Sequence, residues 1–370
     1  MDSRVREHAK ILVEHSLDVQ QGDEVVVDVP PQAEDLTVAI YEELGKRGAH
    51  PIRTLGFRVD SRADRAFKLA MDPEDYDEPP EALLKLAEEA DALIISRGVS
   101  NTYEASDVPA ETTAAYQRLM QPIMSKLMDS RWVGTQFPAP GNARDAEMST
   151  DAYADFVYDA ITLDWDEQRE FQENMVEILD AGSEVRIVSG DTTDITMSID
   201  GMIAANDYGE RNLPGGEVYT APVPDSVEGE VLFDKPLIRR GKKFEDVRLV
   251  FEEGEVVEYS AAKNEDELGD VLDTDAGVKR LGELGIGMNR QIDRFTHNML
   301  FDEKMGDTVH MALGRAYEWT VGEDRERNES AEHMDMIVDM SEDSHIAVDG
   351  DIVQRDGTFV FEEGFNSPNQ

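Results

Sequence analysis

Four of the seven histidines, His297, His310, His333 and His345, fall after residue 290 among short segments rich in aspartate and glutamate. Imidazoles and carboxylates together are the ligand types that hold zinc, cobalt or manganese. The sharpest such segment is AEHMDMIVDM (331–340), where Met334, Met336, Val338 and Met340 alternate with His333, Asp335, Ile337 and Asp339. A period of two predicts a strand with the apolar set on one face and both His333 and Asp335 on the other. That H-x-D pair can present an imidazole and a carboxylate to one cation. An ordinary half-exposed edge strand shows the same alternation.

A second segment, LFDEKMGDTVHMALGRAY (300–317), sets His310 and Tyr317 seven residues apart. They share a face if the stretch is helical, with Asp307 as its candidate cap. An amphipathic helix with a core histidine and a boundary tyrosine fits that spacing equally well. Two more carboxylates stand among glycines, Glu217 in NLPGGEVYTAP and Glu283 in LGELGIGMN. Glycine lets backbone approach a ligand closely, and it also simply makes turns.

The elements that must position these residues fall into two halves. From residue 1 to about 165, the apolar runs EVVVDV (24–29), HPIRTL (50–55), DALIISR (91–97) and WVGTQF (132–137) read as strands. The helical patterns AEDLTVAIYEELGKRGA and PPEALLKLAEEA lie between them, which predicts an open, Rossmann-like, mostly parallel sheet. No G-x-G-x-x-G follows the first strand and no Walker sequence occurs, so nucleotide binding is not expected. The acidic segment 164–182 reads as a helix joining the halves. After it come SEVRIVSGDTTDITMSIDG, DVRLVFEEGEVVEYSA and IAVDGDIVQRDGTFVFEEG, which read as hairpins with EEGE and DGD turns. The expected organisation is α/β, with an N-terminal domain over 1–165 and a C-terminal α+β metal-binding domain over 166–370.

Composition narrows the function classes. With 81 acidic against 35 basic residues the formal net charge is −46, which opposes binding to nucleic acid or to an anionic membrane. The acid is spread along the whole chain, a surface that repels itself in dilute buffer and suits a salt-adapted source. There is no cysteine, which removes thiolate metal sites and cysteine nucleophiles. The start lacks an apolar signal core, and no stretch approaches the roughly 18 apolar residues of a membrane span, so a cytoplasmic location is expected. Neither G-x-S-x-G nor H-E-x-x-H is present.

NLPGGEVYTAP, the glycine-flanked Glu283, LFDE followed by H-x-A-L-G-R-A-Y, and N-x-S-x-x-H-x-D occur in the order seen in the aminopeptidase T and aminopeptidase S metallopeptidases. The chain resembles that family over most of its C-terminal half and more loosely before it. The resemblance implies a pair of divalent ions held by Glu217, Glu283, His310, His333 and Asp335, with Tyr317 as a catalytic phenol; in such a site Glu283 is the candidate for a metal-bound carboxylate that also handles the proton of the attacking water. It also implies peptide substrates with a free N-terminus and a homodimer. Among the departures, Lys304 stands where familiar members carry asparagine.

Overall fold

A computed structural model describes residues 1–54, 61–239 and 242–365; Leu55, the end of the predicted HPIRTL strand, lies outside the described residues. The chain divides into two compact units. One comprises Met1–Leu163 with Gly209–Gly215, the other Asp164–Tyr208 with Gly216–Gln370.

The first unit is built on a five-stranded parallel sheet in the order His50–Thr54, Glu24–Asp28, Ala92–Arg97, Arg131–Gln136, Asn212–Leu213. Val25, Val26 and Val27 have no exposed surface, as expected for a parallel strand covered on both faces. The crossover helix Glu34–Arg47 carries Glu34 and Asp35 in its first turn and Lys46 and Arg47 in its last, matching the helix dipole. It buries Leu36, Ile40 and Leu44 at helical spacing and stops at Gly48, whose φ of 73° needs a residue without Cβ. Among the described residues of this unit, five α-helices lie outside the two helical patterns named above: Ser3–Lys10, Arg62–Ala70, Ala110–Asp129, Pro140–Asp145 and Thr150–Ile161. The last strand, Asn212–Leu213, is supplied from far downstream and gave no sequence signal.

Buried His8, on the first helix, ties three of these segments together. Its Nε2 lies 2.8 Å from Thr135 Oγ1, and that hydroxyl donates to the Leu213 carbonyl at 2.7 Å. The hydroxyl hydrogen is therefore used, and Nε2–H must be the donor to Oγ1. Nδ1 is left buried without a hydrogen-bond partner among the described residues. Burial pushes the His8 imidazole from its ordinary 6.5 down to about 3. The unfolded chain thus takes up a proton that the folded one refuses. Stability from this group is present above pH 6.5 and falls by about 1.4 kcal/mol per pH unit between 6.5 and about 3. In chemical denaturation the stability gap between wild type and His8→Gln should shrink over that window. A gap independent of pH would show that His8 charges freely in the fold.

The second unit opens with the helix Trp165–Ala181, capped by Asp164, which accepts from the Asp166 and Glu167 amides. Its Met175, Val176 and Leu179 pack into the core of the second unit, to which the helix belongs rather than spanning the two. An eight-stranded antiparallel sheet runs from Glu255–Ser260 through Val247–Glu252, Glu228–Phe233, Thr193–Ser198, Glu184–Ser189 and Ser344–Val348 to Asp351–Arg355 and Thr358–Phe359. All three predicted hairpins lie in it. The EEGE and DGD turns have both central residues at positive φ: Glu253 at 49° with Gly254 at 80°, and Asp349 at 50° with Gly350 at 88°. That is the turn sense matching the right-handed strand twist.

A second, five-stranded antiparallel sheet is ordered His333–Asp339, Thr308–Gly314, Leu281–Gly287, Glu217–Thr220, Ala205–Asp207. Val185, Ile187, Ile195, Leu249 and Phe251 from the larger sheet share one core with Val218, Leu284, Ile286, Met311 and Met336 from the smaller. No helix among the described residues is long and apolar enough to cross a membrane.

Candidate metal centre

On the four main strands of the smaller sheet, Val218, Leu284, Ile286, Val309, Met311, Leu313, Met334, Met336 and Val338 point into the core. Alternation then sends Glu217, Tyr219, Glu283, His310, His333 and Asp335 to the opposite face. Register aligns them further. Ala312 pairs with Glu283 on one side and Asp335 on the other, so a single methyl group separates two converging carboxylates. Gly285 pairs with His310, and a Cβ at Gly285 would run into the imidazole ring. Gly285, two residues past Glu283, is therefore a requirement of close packing against His310.

Two groups result, Glu217 with Glu283 and His310, and Glu283 with His333 and Asp335. Within each group one ligand atom per residue lies within 4.8 Å of the others. His310 Nε2 is 3.1 Å from Glu283 Oε1 and 3.3 Å from Glu217 Oε2. His333 Nε2 is 3.3 Å from Asp335 Oδ1 and 3.6 Å from Glu283 Oε2. His333 Nδ1 lies 2.8 Å from the Arg315 carbonyl, which accepts only from Nδ1–H. Nε2 is then the ring nitrogen turned toward the carboxylates, the usual device for orienting an imidazole ligand. Glu217 Oε2 and Glu283 Oε2 are buried and, among the described residues, make no hydrogen bond. Buried carboxylate oxygens left in this way are costly unless a cation satisfies them, so the donor set fits a divalent metal.

The charges point the same way. Burial raises the Glu217 and Glu283 carboxyls above the ordinary range. It also opposes protonation of the histidines, but Glu283 and Glu217 outweigh it at His310, raising that group to about 9. Asp335 and Glu283 do the same at His333, raising it to about 10. Burial would raise Asp335 as well, yet the His333 charge and hydrogen bond hold it low. Five side chains thus compete for positive charge in a space largely closed to water.

One prediction fails here. Thr308–Gly314 is a strand, not the helix that the spacing of His310 and Tyr317 allowed, and Asp307 sits before it at φ 74° without capping anything. Val309, Met311 and Leu313 form a period-two face against the core, and pairing on both sides overrides the helical preference of Met, Ala and Leu. Tyr317 lies beyond the strand, in extended backbone leading into the short turn Glu318–Thr320. Its ring nevertheless reaches the site, 5.0 Å from the His333 ring and stacked on Trp319 at 4.7 Å. His297 and His345 belong to neither group.

The profile of the thermophilic metalloprotease (M29) family matches residues 1–365. The chain belongs to that family. Similar proteins include aminopeptidase AmpS of Bacillus subtilis (strain 168), 27% identical over 98% of this chain and 100% of that protein. Aminopeptidase T of Thermus aquaticus is 28% identical over 95% of each chain. Among solved structures, wild-type AmpT from Thermus thermophilus superposes with a TM-score of 0.85 at 24% identity, covering 97% of this chain and 99% of the other. A 2,5-dihydroxypyridine dioxygenase from Pseudomonas putida KT2440 has the same fold at a TM-score of 0.59 and 14% identity, with 97% of each chain covered.

This metalloprotease surrounds its site with residues that sequence reasoning missed. Gln172, fully buried on the Trp165–Ala181 helix, donates to the Glu217 carbonyl at 2.9 Å, to the Asp207 carbonyl at 3.2 Å and to Asn206 Oδ1 at 2.6 Å. It pins the backbone that carries Glu217, and nothing in an acidic helix announces such a role. Tyr219 could have been found, since it lies two residues from Glu217 on one strand face. Its hydroxyl accepts from Trp319 Nε1 at 2.9 Å. Lys304, noted only as a departure, is fully buried with its Nζ 3.1 Å from Glu217 Oε1. Burial disfavours its charge, but Glu217, Glu303 and Asp207 outweigh that and keep it protonated.

Proposed function

We propose that this metalloprotease is an aminopeptidase whose residues 166–370 form the catalytic domain, with Glu217, Glu283, His310, His333 and Asp335 holding two divalent ions, zinc, cobalt or manganese. The observation that carries the reading is Glu283. Its Oε1 faces His310 at 3.1 Å while its Oε2 faces His333 at 3.6 Å, so one carboxylate can serve both groups. When bound, the ions supply Lewis acidity toward a water nucleophile and the scissile carbonyl.

The remaining steps fall to the chain's own side chains. Glu283, its carboxyl raised by burial, accepts the proton of the attacking water. Tyr317 donates a hydrogen bond to the carbonyl oxygen as it gains negative charge. Burial, reinforced by Glu283 and Asp335, drives that phenol well above the usual tyrosine range, which suits a donor and not a base. A carboxylate of the cluster receives the free α-amino group and so confines cleavage to the peptide's N-terminus.

The fold alone does not select a reaction, since a dioxygenase shares it. Another metal-dependent amide hydrolase is the rival reading. A panel of aminoacyl chromogenic substrates and their N-blocked analogues separates the two: turnover is expected only with a free amino terminus, and equal turnover of both would favour the rival. The homodimer and the cytoplasmic location belong to the proposal on the family resemblance and the sequence.

We also read the chain as halophilic. At a net charge of −46, carboxylate repulsion is relieved as the screening length falls from about 10 Å at 0.1 M salt to about 3 Å at 1 M. The melting temperature should therefore climb with KCl. Equal stability in dilute buffer would remove the halophile reading.

A further inference from the structure

The two metal-ligand groups are unequal in their surroundings, and Lys304 makes the difference. Its side chain has no exposed surface, and its backbone is held at both ends: the amide donates to the Phe301 carbonyl at 3.0 Å and the carbonyl accepts from the Asn289 amide at 3.0 Å. The ammonium lies 3.1 Å from Glu217 Oε1 and 3.9 Å from Asp207 Oδ2, and it pairs with Glu303. Glu217 is therefore divided between two partners. Oε1 faces the lysine, while Oε2 faces His310 at 3.3 Å. Among the described residues, no lysine or arginine forms an ion pair with Glu283 or Asp335.

We propose that the Lys304 ammonium is a built-in counter-ion of Glu217 that weakens divalent-ion binding at the Glu217, Glu283 and His310 group, so that the Glu283, His333 and Asp335 group fills first. The inference rests on the reading that the site takes two ions. Its physical basis is Coulombic. A fixed positive charge one carboxylate away from a bound divalent cation repels it, and in a buried, poorly screened site this repulsion is large. The same ammonium also uses one of the two Glu217 oxygens, leaving that ligand only one for a metal. The Lys304 charge is also felt at Asp335, but no ion pair joins the two.

Stepwise titration of the chelated, dialysed full-length protein with Co²⁺ tests this, read by calorimetry and by the visible absorption of bound cobalt. Wild type should bind in two unequal steps. Glu217→Gln should remove the weaker step and keep the tighter one, while Asp335→Asn should do the reverse. Lys304→Gln and Lys304→Met should each tighten the weaker step by at least about tenfold, because one unit of nearby positive charge is gone. An unchanged or weakened second step in both lysine variants, with two steps in wild type, overturns the counter-ion role and leaves the two-ion reading standing. One step in wild type but two in Lys304→Met supports the counter-ion role and limits the two-ion reading to the variant. One step in every protein overturns both. Should neither lysine variant fold, Glu217→Gln and Asp335→Asn still decide the filling order, and loss of the tighter step in Glu217→Gln would overturn the proposal.

Discussion

Chelation should abolish peptide hydrolysis by this protein, and added Zn²⁺, Co²⁺ or Mn²⁺ should restore it; that is the largest effect expected of any treatment. Lewis-acid activation is worth several kcal/mol, on the order of 10³-fold in rate or more. Single substitutions sharpen the expectation. Glu283 is common to both ligand groups, so Glu283→Gln should lower metal content at both positions and remove activity. His310→Ala and His333→Ala should each empty one position. Metal analysis after dialysis, alongside turnover of an aminoacyl substrate, reads these outcomes together. Full activity in a metal-free preparation would end the hydrolytic mechanism drawn here. Unchanged metal content in both histidine variants would move the metal elsewhere.

Tyr317→Phe should lower kcat by on the order of 10²- to 10³-fold with little change in KM, by analogy with the loss of one oxyanion donor. The ring is what packs: it stacks on Trp319 at 4.7 Å and lies against His333 at 5.0 Å, and phenylalanine keeps both contacts. Metal content and melting temperature should therefore stay close to wild type. Because the lost hydrogen bond strengthens mainly in the transition state, kcat and kcat/KM should fall together. A variant with near wild-type kcat would remove the hydroxyl from the chemistry. One that sheds metal or melts early would give Tyr317 a packing role beside His333.

Legibility in the sequence followed the range over which each signal acts. The 333–339 strand was readable because its alternation is local and one face is wholly apolar. The hairpins were readable because their turns are written in two residues. The Thr308–Gly314 strand was not, since Met, Ala and Leu favour helix and a spacing of seven fits two helical turns as well as an extended path. Glu217, Glu283, His310, His333 and Asp335 could be grouped only because several separated motifs coincided with a known family, as no one of them carries the arrangement. Gln172 escaped entirely, and Lys304 stood out only as a departure from the family pattern: each reaches the site from an element outside the ligand strands, through a contact that depends on tertiary packing alone. The alanine between Glu283 and Asp335 was invisible for the same reason, because its importance lies in strand register.

The excursion of residues 209–215 into the first unit bears on how this protein is made. A ribosome that has released residues 1–165 has not yet delivered Asn212 and Leu213, so the nascent N-terminal sheet ends at Arg131–Gln136 with that edge unpaired. The Thr135 hydroxyl still waits for the Leu213 carbonyl, and with it the link that fixes the buried His8. An open parallel edge is a template for pairing with other chains. Recombinant fragments cut at the apparent boundary should therefore aggregate, whereas extension through residue 215 supplies the missing strand at the cost of dragging along part of the second unit. Completion of the first unit is thus coupled to synthesis of residues 209–215, which follow the start of the second.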